Sequence, residues 1–304
     1  MTQARSLTRF LVVAALCGAS NGFAPQPLAS KAASVTKSLS SPSALNVWNP
    51  FVRAEDLEPV AVEVVKEEPV PGPIATQNYV AGAVWASLIV WGFFLAPGEA
   101  GSASDNAMIQ TLITQPTPRP EEINQLWFAV WNCFVVVPAV IGALEAPVGR
   151  GQRLPAAPFL LGSAFLGYFS LGPYFLSRTV RTDPVDVDDL GFASRNIFES
   201  KIFGGLLAAI AISIPFSSDV FTCDLASTFA GYIDLATSSR FVAVASADIA
   251  IMSILAGILV SEDATRRGWE DKALPLGAAS ILLPVLGPCL YLVARPSLEE
   301  SLEE

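Results

Sequence analysis

The 304-residue sequence contains no histidine. Histidine is the usual side chain for proton transfer near neutral pH and the commonest metal ligand in proteins. Its absence excludes His-box di-iron desaturases, His-ligated haem, His-dependent intramembrane proteases and Ser-His-Asp hydrolysis. The sequence indicates no particular cofactor, and a chlorophyll would have to be held by Glu, Asn or water.

Charge is also scarce. Only 15% of the residues are charged, whereas 52% are hydrophobic. The net charge is −10 and no long basic block occurs, so nucleic acid is excluded as a partner. The four cysteines show no paired short spacing, which indicates neither a zinc site nor a disulfide framework. This composition favours an integral membrane protein whose main partner is the lipid bilayer.

The amino-terminal residues have the composition of a two-part targeting sequence. Arg5 and Arg9 precede the apolar run FLVVAALCGA, which is too short to span a bilayer and is followed by small residues. This order is typical of a secretory signal peptide, predicted over residues 1–22. The next residues are rich in Ser and Ala and contain no acid, which predicts a plastid transit peptide over residues 23–48.

The junction of these two parts, ASNGFAP at residues 19–25, resembles the ASAFAP-type cleavage motif of diatom-like algae. Phe23 is then the expected first residue after cleavage. The resemblance implies a multi-pass protein of a plastid membrane, either thylakoid or inner envelope. The acidic, Pro-rich residues 49–77 are predicted to form a disordered linker.

Six apolar runs follow, each close to the 20 or so residues that a helix needs to cross a bilayer. They cover residues 79–96, 126–144, 156–176, 197–216, 241–260 and 274–294. The fourth run has a short uninterrupted apolar part, so Lys201 is expected to extend its charge toward the interface.

Residues 218–239 have a different pattern. Phe221, Leu225 and Phe229 recur at helical spacing while Asp, Ser and Thr occupy other positions, which predicts an amphipathic helix along the membrane interface. The predicted fold is all-α: a polytopic transmembrane helical bundle of about six spans over residues 78–298, with one interfacial amphipathic helix. An acidic tail covers residues 299–304.

Asp248 is the most informative polar residue of the predicted spans. It lies about 10 Å along the axis from the start of the fifth predicted span. A carboxylate at that depth costs a few kcal/mol, so it is expected to face the bundle interior and to have a partner. Two interpretations remain open. Asp248 is either a proton or cation site, or it forms a structural contact with Asn132, Ser246, Ser280 or an arginine.

Other charged residues lie at the ends of predicted spans. Glu199 and Lys201 are expected to anchor the start of the fourth span at the interface, with Arg195 placed to pair with Glu199. Glu145 is expected to do the same at the end of the second span. The segment SEDATRRGWEDK, residues 261–272, is predicted to be a solvated loop, with binding of an anionic lipid headgroup as the alternative.

Between residues 126 and 298 the chain resembles multi-span membrane proteins of cyanobacteria and of plant and algal plastids. The resemblance is carried by GYFSLGPYF (167–175), ESK (199–201), SADIAIMSILAGILVSEDATRRGW (246–269) and LLPVLGPCLYLVARPSL (282–298). In that group an Asp like Asp248, a pair like Asp263 with Arg267, and an ending with residues like Tyr291 and Arg295 recur. The resemblance implies a photosynthetic membrane and no particular reaction.

Three functions follow as expectations. The first is a non-enzymatic accessory or assembly partner of photosynthetic complex subunits. The second is a proton- or cation-coupled transporter or channel that uses Asp248, and the third is a lipid- or pigment-modifying membrane enzyme. The candidate polar site comprises Asp248, Glu199, Lys201, Asp263, Arg267, Tyr291 and Arg295.

Overall fold

The computed structural model describes residues 72–115, 121–185, 187 and 190–298. The predicted signal peptide, transit peptide and acidic tail lie outside these residues, as does most of the predicted linker. Thr76 and Gln77, at the end of that linker, already belong to the first helix.

All regular secondary structure in the described residues is helical, which confirms the predicted all-α class. The α-helices of this part of the chain are α1 (Thr76–Val90), α2 (Ala103–Thr114), α3 (Gln125–Glu145), α4 (Ala156–Leu166), α5 (Tyr168–Ser177), α6 (Lys201–Ser217), α7 (Leu225–Ser238), α8 (Arg240–Arg266), α9 (Glu270–Leu282) and α10 (Leu286–Ala294). A π-helical turn extends α1 over Trp91–Leu95, and another precedes α6 over Ser194–Phe198.

Side-chain caps fix where several of these helices begin. The Ser102 hydroxyl accepts a hydrogen bond from the backbone N–H of Asp105 at the start of α2, and Asn124 accepts one from Trp127 at the start of α3. Ser239 caps α8 in the same way. Each cap satisfies an amide that has no partner within its helix. Helix α2 was not predicted, although Ser102 followed three residues later by an acid is a typical helix start.

Three helical segments are long and apolar enough to cross a membrane: Thr76–Leu95, Gln125–Val148 and Arg240–Arg266. They correspond to the first, second and fifth predicted spans. Helices α3 and α8 lie against each other, and each contributes fully buried side chains to the main hydrophobic core, among them Val136 and Met252.

The third predicted span is not one continuous helix, because residues 156–176 fall in two helices. The backbone of Gly167, between α4 and α5, has φ +54° and ψ −134°, a conformation that favours glycine. The Ser170 hydroxyl consequently donates a hydrogen bond to the carbonyl of Phe159 at 3.0 Å. In a continuous helix these residues would lie about 16 Å apart along the axis. Helix α5 therefore folds back on α4.

Side-chain hydrogen bonds close the open end of this helix pair, and those of Gln152 join its two strands of chain directly. The Gln152 side chain accepts a hydrogen bond from the Thr179 N–H at 2.6 Å and donates one to the Thr179 carbonyl at 3.1 Å. The chain thus enters and leaves the helix pair at the same end. We refer to residues 150–181 as hairpin I.

The sixth predicted span is likewise not one continuous helix. Residues 274–294 are divided between α9 and α10, and Val285 between them has φ +70° and ψ −57°. The Leu286 N–H donates to the Pro284 carbonyl at 2.8 Å, which is the hydrogen bond of a γ-turn. Beyond α10, the Pro296 carbonyl accepts a hydrogen bond from Arg267, just before α9, at 2.7 Å. This pair also enters and leaves at one end, and we refer to residues 268–296 as hairpin II.

The predictions for the fourth span and for the amphipathic segment are confirmed in part. The fourth predicted span, residues 197–216, corresponds to α6, which begins at Lys201 and has 17 residues, or about 25 Å. The predicted amphipathic segment 218–239 contains helix α7, in which only Thr228 is buried. Its position at a membrane interface stays a prediction.

Charged side chains concentrate where both hairpins open. We name this region the ionic end and define it by Glu145, Arg178, Asp263, Arg267 and Arg295. Helices α3 and α8 finish there. Helices α1 and α6 begin there, since Asn78 of α1 donates to the Arg178 carbonyl and Lys201 of α6 donates to the Arg295 carbonyl.

The other ends of these helices meet at the opposite end of the bundle. The Arg240 guanidinium, at the start of α8, donates to the carbonyls of Phe93 and Ala96 after α1, each at 3.0 Å. The Asn124 amide, at the start of α3, donates to the carbonyl of Thr228 in α7 at 2.9 Å.

The same order of parts therefore occurs twice along the chain. The order is a helix that leaves the ionic end, a short helix at the opposite end, a long helix that returns, and a hairpin. In the first half these parts are α1, α2, α3 and hairpin I. Helices α6, α7, α8 and hairpin II repeat that order. The contacts repeat as well, because α1 packs against α5 and α6 packs against α10.

Candidate functional site

The buried acid Asp248 lies at the tip of hairpin I. Only 4% of Asp248 is exposed, and its Oδ1 accepts the backbone N–H of Tyr168, the first residue of α5, at 2.7 Å. The positive end of the α5 dipole is at the same place and stabilises a carboxylate. Asp248 thus has a partner inside the bundle, as predicted, but this partner is a backbone amide that the sequence did not indicate. The Ser246 hydroxyl, one of the predicted partners, bonds to Tyr232 at 2.8 Å.

Gly167 permits this close approach. A Cβ atom at Gly167 would lie 1.7 Å from Oδ2 of Asp248, far inside the distance at which two atoms touch. Hairpin I therefore needs glycine at its tip both for the backbone conformation and for the space beside the carboxyl group.

A cavity of about 1040 Å³ lies next to Asp248, among α1, α2, α3, α8 and the tip of hairpin I. Its walls are largely apolar and include Phe93, Trp131, Phe134, Phe165, Phe169 and Phe241. It extends along α8 from Asp248 to Arg240, or about 12 Å. The tip of hairpin I, with Phe165, Leu166 and Phe169, forms one wall of the cavity.

The charged groups at the far end of the cavity have protein partners. Asp105 accepts the Ser239 hydroxyl at 2.6 Å and the Phe241 N–H at 3.3 Å, so it holds the start of α8. Arg240 holds the end of α1 through its two Nη atoms. Its Nε is buried and has no hydrogen-bond partner among the described residues.

Asp263 is the centre of a buried ion network at the ionic end. It is 0% exposed. Its Oδ2 accepts hydrogen bonds from Arg267 Nε at 2.8 Å, Arg295 Nη1 at 3.0 Å and the Tyr291 hydroxyl at 2.9 Å. Its Oδ1 accepts one from Arg266 at 2.7 Å. This network ties hairpin II to the end of α8.

Glu199 and Lys201 join the same network from the start of α6. The Glu199 carboxylate accepts hydrogen bonds from both Nη atoms of Arg267, at 2.8 and 2.9 Å, and from Arg295 at 3.1 Å. Lys201 donates to the Arg295 carbonyl. Six of the seven predicted site residues are therefore brought together: Glu199, Lys201, Asp263, Arg267, Tyr291 and Arg295. The seventh, Asp248, lies at hairpin I.

The prediction of a solvated loop over residues 261–272 is wrong for residues 261–267, whereas Gly268 and residues 270–272 are exposed. Residues 261–266 are the last turns of α8, and Asp263, Arg266 and Arg267 are each at most 1% exposed. Burial alone would lower the pKa of the Arg267 guanidinium, but Asp263 and Glu199 outweigh it and raise that pKa. The arginines are directed to protein partners, not to a lipid headgroup.

A second network of the same design closes hairpin I. Glu145 is 0% exposed and accepts hydrogen bonds from the Tyr174 hydroxyl at 2.9 Å and from Arg178 at 2.6 Å. Glu262 binds Arg178 with both carboxylate oxygens, at 2.7 and 2.8 Å. Burial alone would lower the pKa of Arg178, but Glu145 and Glu262 raise it above its ordinary value, so Arg178 remains a cation.

The two networks are equivalent parts of the two halves. In each, an acid at the end of a long helix binds a Tyr and an Arg of the following hairpin. The hairpin sequences are LGPYFLSR (171–178) and LGPCLYLVAR (286–295), and both contain Leu-Gly-Pro followed by Tyr-x-x-x-Arg. The same number of residues separates Glu145 from Gly167 and Asp263 from Val285. This repeated pattern was the signal that could have identified Tyr174 and Arg178, which the sequence reasoning missed.

Asp248 has no such counterpart. Asp248 lies 15 residues before Asp263, and the residue that lies 15 positions before Glu145 is Val130 in α3. In both networks each oxygen of the central acid accepts a hydrogen bond from a Tyr or an Arg. Asp248 instead lines a cavity, so it is the candidate for binding another molecule. Across the ranges that the structure covers, no group of three or more Cys, Asp and Glu residues could hold a metal ion.

No family model matches the chain, and no curated protein or solved structure matches it.

Proposed function

We propose that the protein is a non-enzymatic integral membrane protein that binds an apolar molecule inside the bilayer. The cavity beside Asp248 carries this proposal. Its volume of about 1040 Å³ is at the upper end for small-molecule sites, which combine apolar walls with a few fixed polar groups. Here Asp248 supplies a fixed polar group at the inner end.

The membrane arrangement that we propose has four crossings and two re-entrant hairpins. Helices α1, α3, α6 and α8 cross, and hairpins I and II enter from the ionic end and return to it. Helices α4 and α5 have 11 and 10 residues, so each is only about 16 Å long, half of the hydrocarbon core. Helices α2 and α7 lie at the opposite face.

The apolar surface supports a lipid environment. Phe165, Ile202, Leu274 and Leu282 are 79%, 84%, 77% and 80% exposed. Large apolar side chains exposed in several helices indicate a surface that another apolar phase covers. Since α6 is only about 25 Å long, local thinning of the bilayer is needed around it.

The location that we propose is a plastid membrane, and the role there is that of an accessory or assembly partner of photosynthetic complex subunits. The amino-terminal composition, the motif at Phe23 and the resemblance over residues 126–298 support this location. An accessory protein that carries a bound molecule is compatible with the cavity and with the two closed ion networks.

Proton or cation transport through Asp248 is the second candidate, and one observation favours it. A broken helix presents its N-terminus to an acid deep in the bundle, and broken helices near the bilayer midplane form the binding sites of many transporters. The apolar cavity walls favour a bound molecule over an ion path. Loss of a pH- or cation-dependent flux in liposomes on Asp248→Asn, with unchanged abundance, would favour transport.

Native mass spectrometry of the full chain in lipid nanodiscs tests the binding proposal. Ala245 lines the cavity, whereas Ala250 is exposed on the same helix and outside the cavity. Ala245→Phe places a phenyl ring in the wall of the cavity beside the aromatic side chains, and Ala250→Phe adds the same side chain elsewhere. We expect the wild-type protein and Ala250→Phe to retain a bound non-protein mass that Ala245→Phe loses.

Two results would overturn the proposal. One is a wild-type protein that carries no bound molecule above the lipid background. The other is equal retention by the two Phe variants, which would place the bound molecule outside the cavity.

A further inference from the structure

We infer that the cavity takes a neutral lipid that bears a hydroxyl group, and that this hydroxyl binds Asp248. The inference rests on the proposed function, because it names the chemistry of the molecule that the cavity holds. It is carried by the polar groups around the cavity and by the place where the cavity opens.

A hydroxyl group suits the carboxyl group of Asp248. One oxygen of Asp248 accepts the Tyr168 N–H, and a carboxylate has about four lone-pair positions. An apolar molecule without a hydrogen-bond donor would cover this acid and leave it underbonded, which is costly. A hydroxyl both donates and accepts, so it satisfies the acid in either protonation state.

The charges around the cavity favour a neutral molecule. An anionic group would be repelled by Asp248 at one end and by Asp105 at the other, and a cationic group would be repelled by Arg240, which also lines the cavity. The N-terminus of α5 already directs a positive dipole end at Asp248, which reduces the need for a cation there.

The cavity opens toward the surface that we propose to be lipid-covered. Ile113 of α2 and Phe165 of the hairpin I tip both line it, and they are 67% and 79% exposed. A lipid can therefore enter sideways, without its hydroxyl crossing the aqueous face. Trp131, Phe134 and Phe169 supply flat aromatic walls for its apolar body.

Brominated lipids test this chemistry, since bromine quenches tryptophan fluorescence on contact and Trp131 lines the cavity. The full chain in nanodiscs is titrated with dibromostearyl alcohol and with its methyl ether, amine and carboxylic acid analogues. We expect the alcohol to quench at a concentration about tenfold lower than the ether, a factor that corresponds to about 1.4 kcal/mol. Trp131→Phe identifies the fraction of the signal that comes from the cavity.

Two variants test whether Asp248 accepts the hydroxyl. In Asp248→Asn the side-chain oxygen is held by the Tyr168 N–H, so the amide N–H groups face the lipid and donate to an alcohol and to an ether alike. Asp248→Leu removes both hydrogen-bonding groups. In each variant the alcohol and the ether should bind about equally, and retention of the wild-type preference in either variant would overturn the assignment of the hydroxyl to Asp248.

The series also separates this inference from the proposed function. Equal binding of the alcohol and ether to the wild-type protein would overturn the hydroxyl inference and leave apolar binding intact. Tightest binding by the amine or the acid would overturn it as well, and a preference for the amine would favour cation binding. Absence of Trp131 quenching by every analogue would overturn both proposals.

Discussion

Gly167 meets two separate requirements at a single residue. Its φ of +54° disfavours any side chain, and the space for a Cβ is occupied by the Asp248 carboxyl group. We expect Gly167→Ala to lower the free energy of unfolding by at least the 1–3 kcal/mol that is typical of a strained backbone residue. Unfolding of the nanodisc-embedded protein with increasing SDS would measure it.

Gly205→Ala is the matched control, because a Cβ at Gly205 in α6 meets nothing within 4 Å. Its effect should be small, and it should be slightly stabilising because alanine favours helix. In an Asp248→Ala background, Gly167→Ala should cost less, since only the backbone strain remains. Equal costs in both backgrounds would contradict a contact between Gly167 and Asp248.

Asp263 differs from an ordinary ion-pair residue because three buried arginines share it. Asp263→Asn leaves Arg266, Arg267 and Arg295 without their common anion, and breaking a buried pair costs about 3–5 kcal/mol. We therefore expect a large fall in the SDS midpoint and reduced membrane abundance. The control is Asp271→Asn at an exposed position of α9, which should unfold like the wild type. A stable Asp263→Asn protein would contradict the central role of this carboxylate.

At the residue scale, the sequence identified the chemistry better than the partners. Asp263, Arg267 and Arg295 were selected from the resemblance to plastid and cyanobacterial membrane proteins, while the charges of residues 261–272 alone predicted a solvated loop. Asp248 was selected because a carboxylate deep in an apolar run needs an explanation. Its partner could not be predicted, since the Tyr168 amide is available only after the chain turns at Gly167. Every residue except proline has a backbone N–H, so the residue type at position 168 does not indicate that its N–H will bind an acid.

Hairpin I depends on a contact between its first and last residues. The Gln152 side chain is bonded to both backbone groups of Thr179. Gln152→Ala removes these two bonds, and we expect a loss of about 1–3 kcal/mol with faster amide hydrogen exchange confined to residues 150–181. Gln110→Ala, at an exposed position of α2, should leave exchange in that hairpin unchanged. Unchanged exchange in Gln152→Ala would contradict its role.

The errors at the scale of elements have one physical cause. A helix that crosses lipid and a hairpin that enters and returns both need about 20 apolar residues, so hydropathy does not separate them. For the third run the decisive residue is Gly167, which elsewhere in an apolar helix would be a packing glycine. For the sixth run the break follows Pro284, and a proline within a span was compatible with a simple kink. The runs that contain α1, α3 and α8 were predictable because each forms a continuous helical segment, and Pro138 within α3 does not break it.

For the whole molecule, the repeated order of parts explains why the two ion networks match. Each half closes its hairpin with an acid, a Tyr and an Arg, and the backbone carbonyl of that Arg accepts a hydrogen bond from the helix that leaves the ionic end. Parallel repeats of this kind occur in membrane transporters and carriers. The halves differ at Asp248, where α3 has Val130, so a binding site is expected in one half only.

The two membrane arrangements differ in which loops share a face, and this difference can be measured. With six spans, residues 153 and 183 lie on opposite faces, as do 272 and 297. With four crossings and two hairpins, all four lie on the ionic face, and residue 222 lies on the other.

Labelling with a membrane-impermeant maleimide in oriented vesicles distinguishes the two arrangements. The chain's own cysteines are replaced by serine, and single cysteines are then introduced at Arg153, Asp183, Thr222, Lys272 and Ser297. In vesicles whose ionic face points outward, we expect the other four sites to be labelled at once and Thr222→Cys to be labelled only after the vesicles are opened. In inverted vesicles we expect the reverse. Labelling that alternates from one site to the next along the chain would instead establish six spans and exclude the re-entrant hairpins.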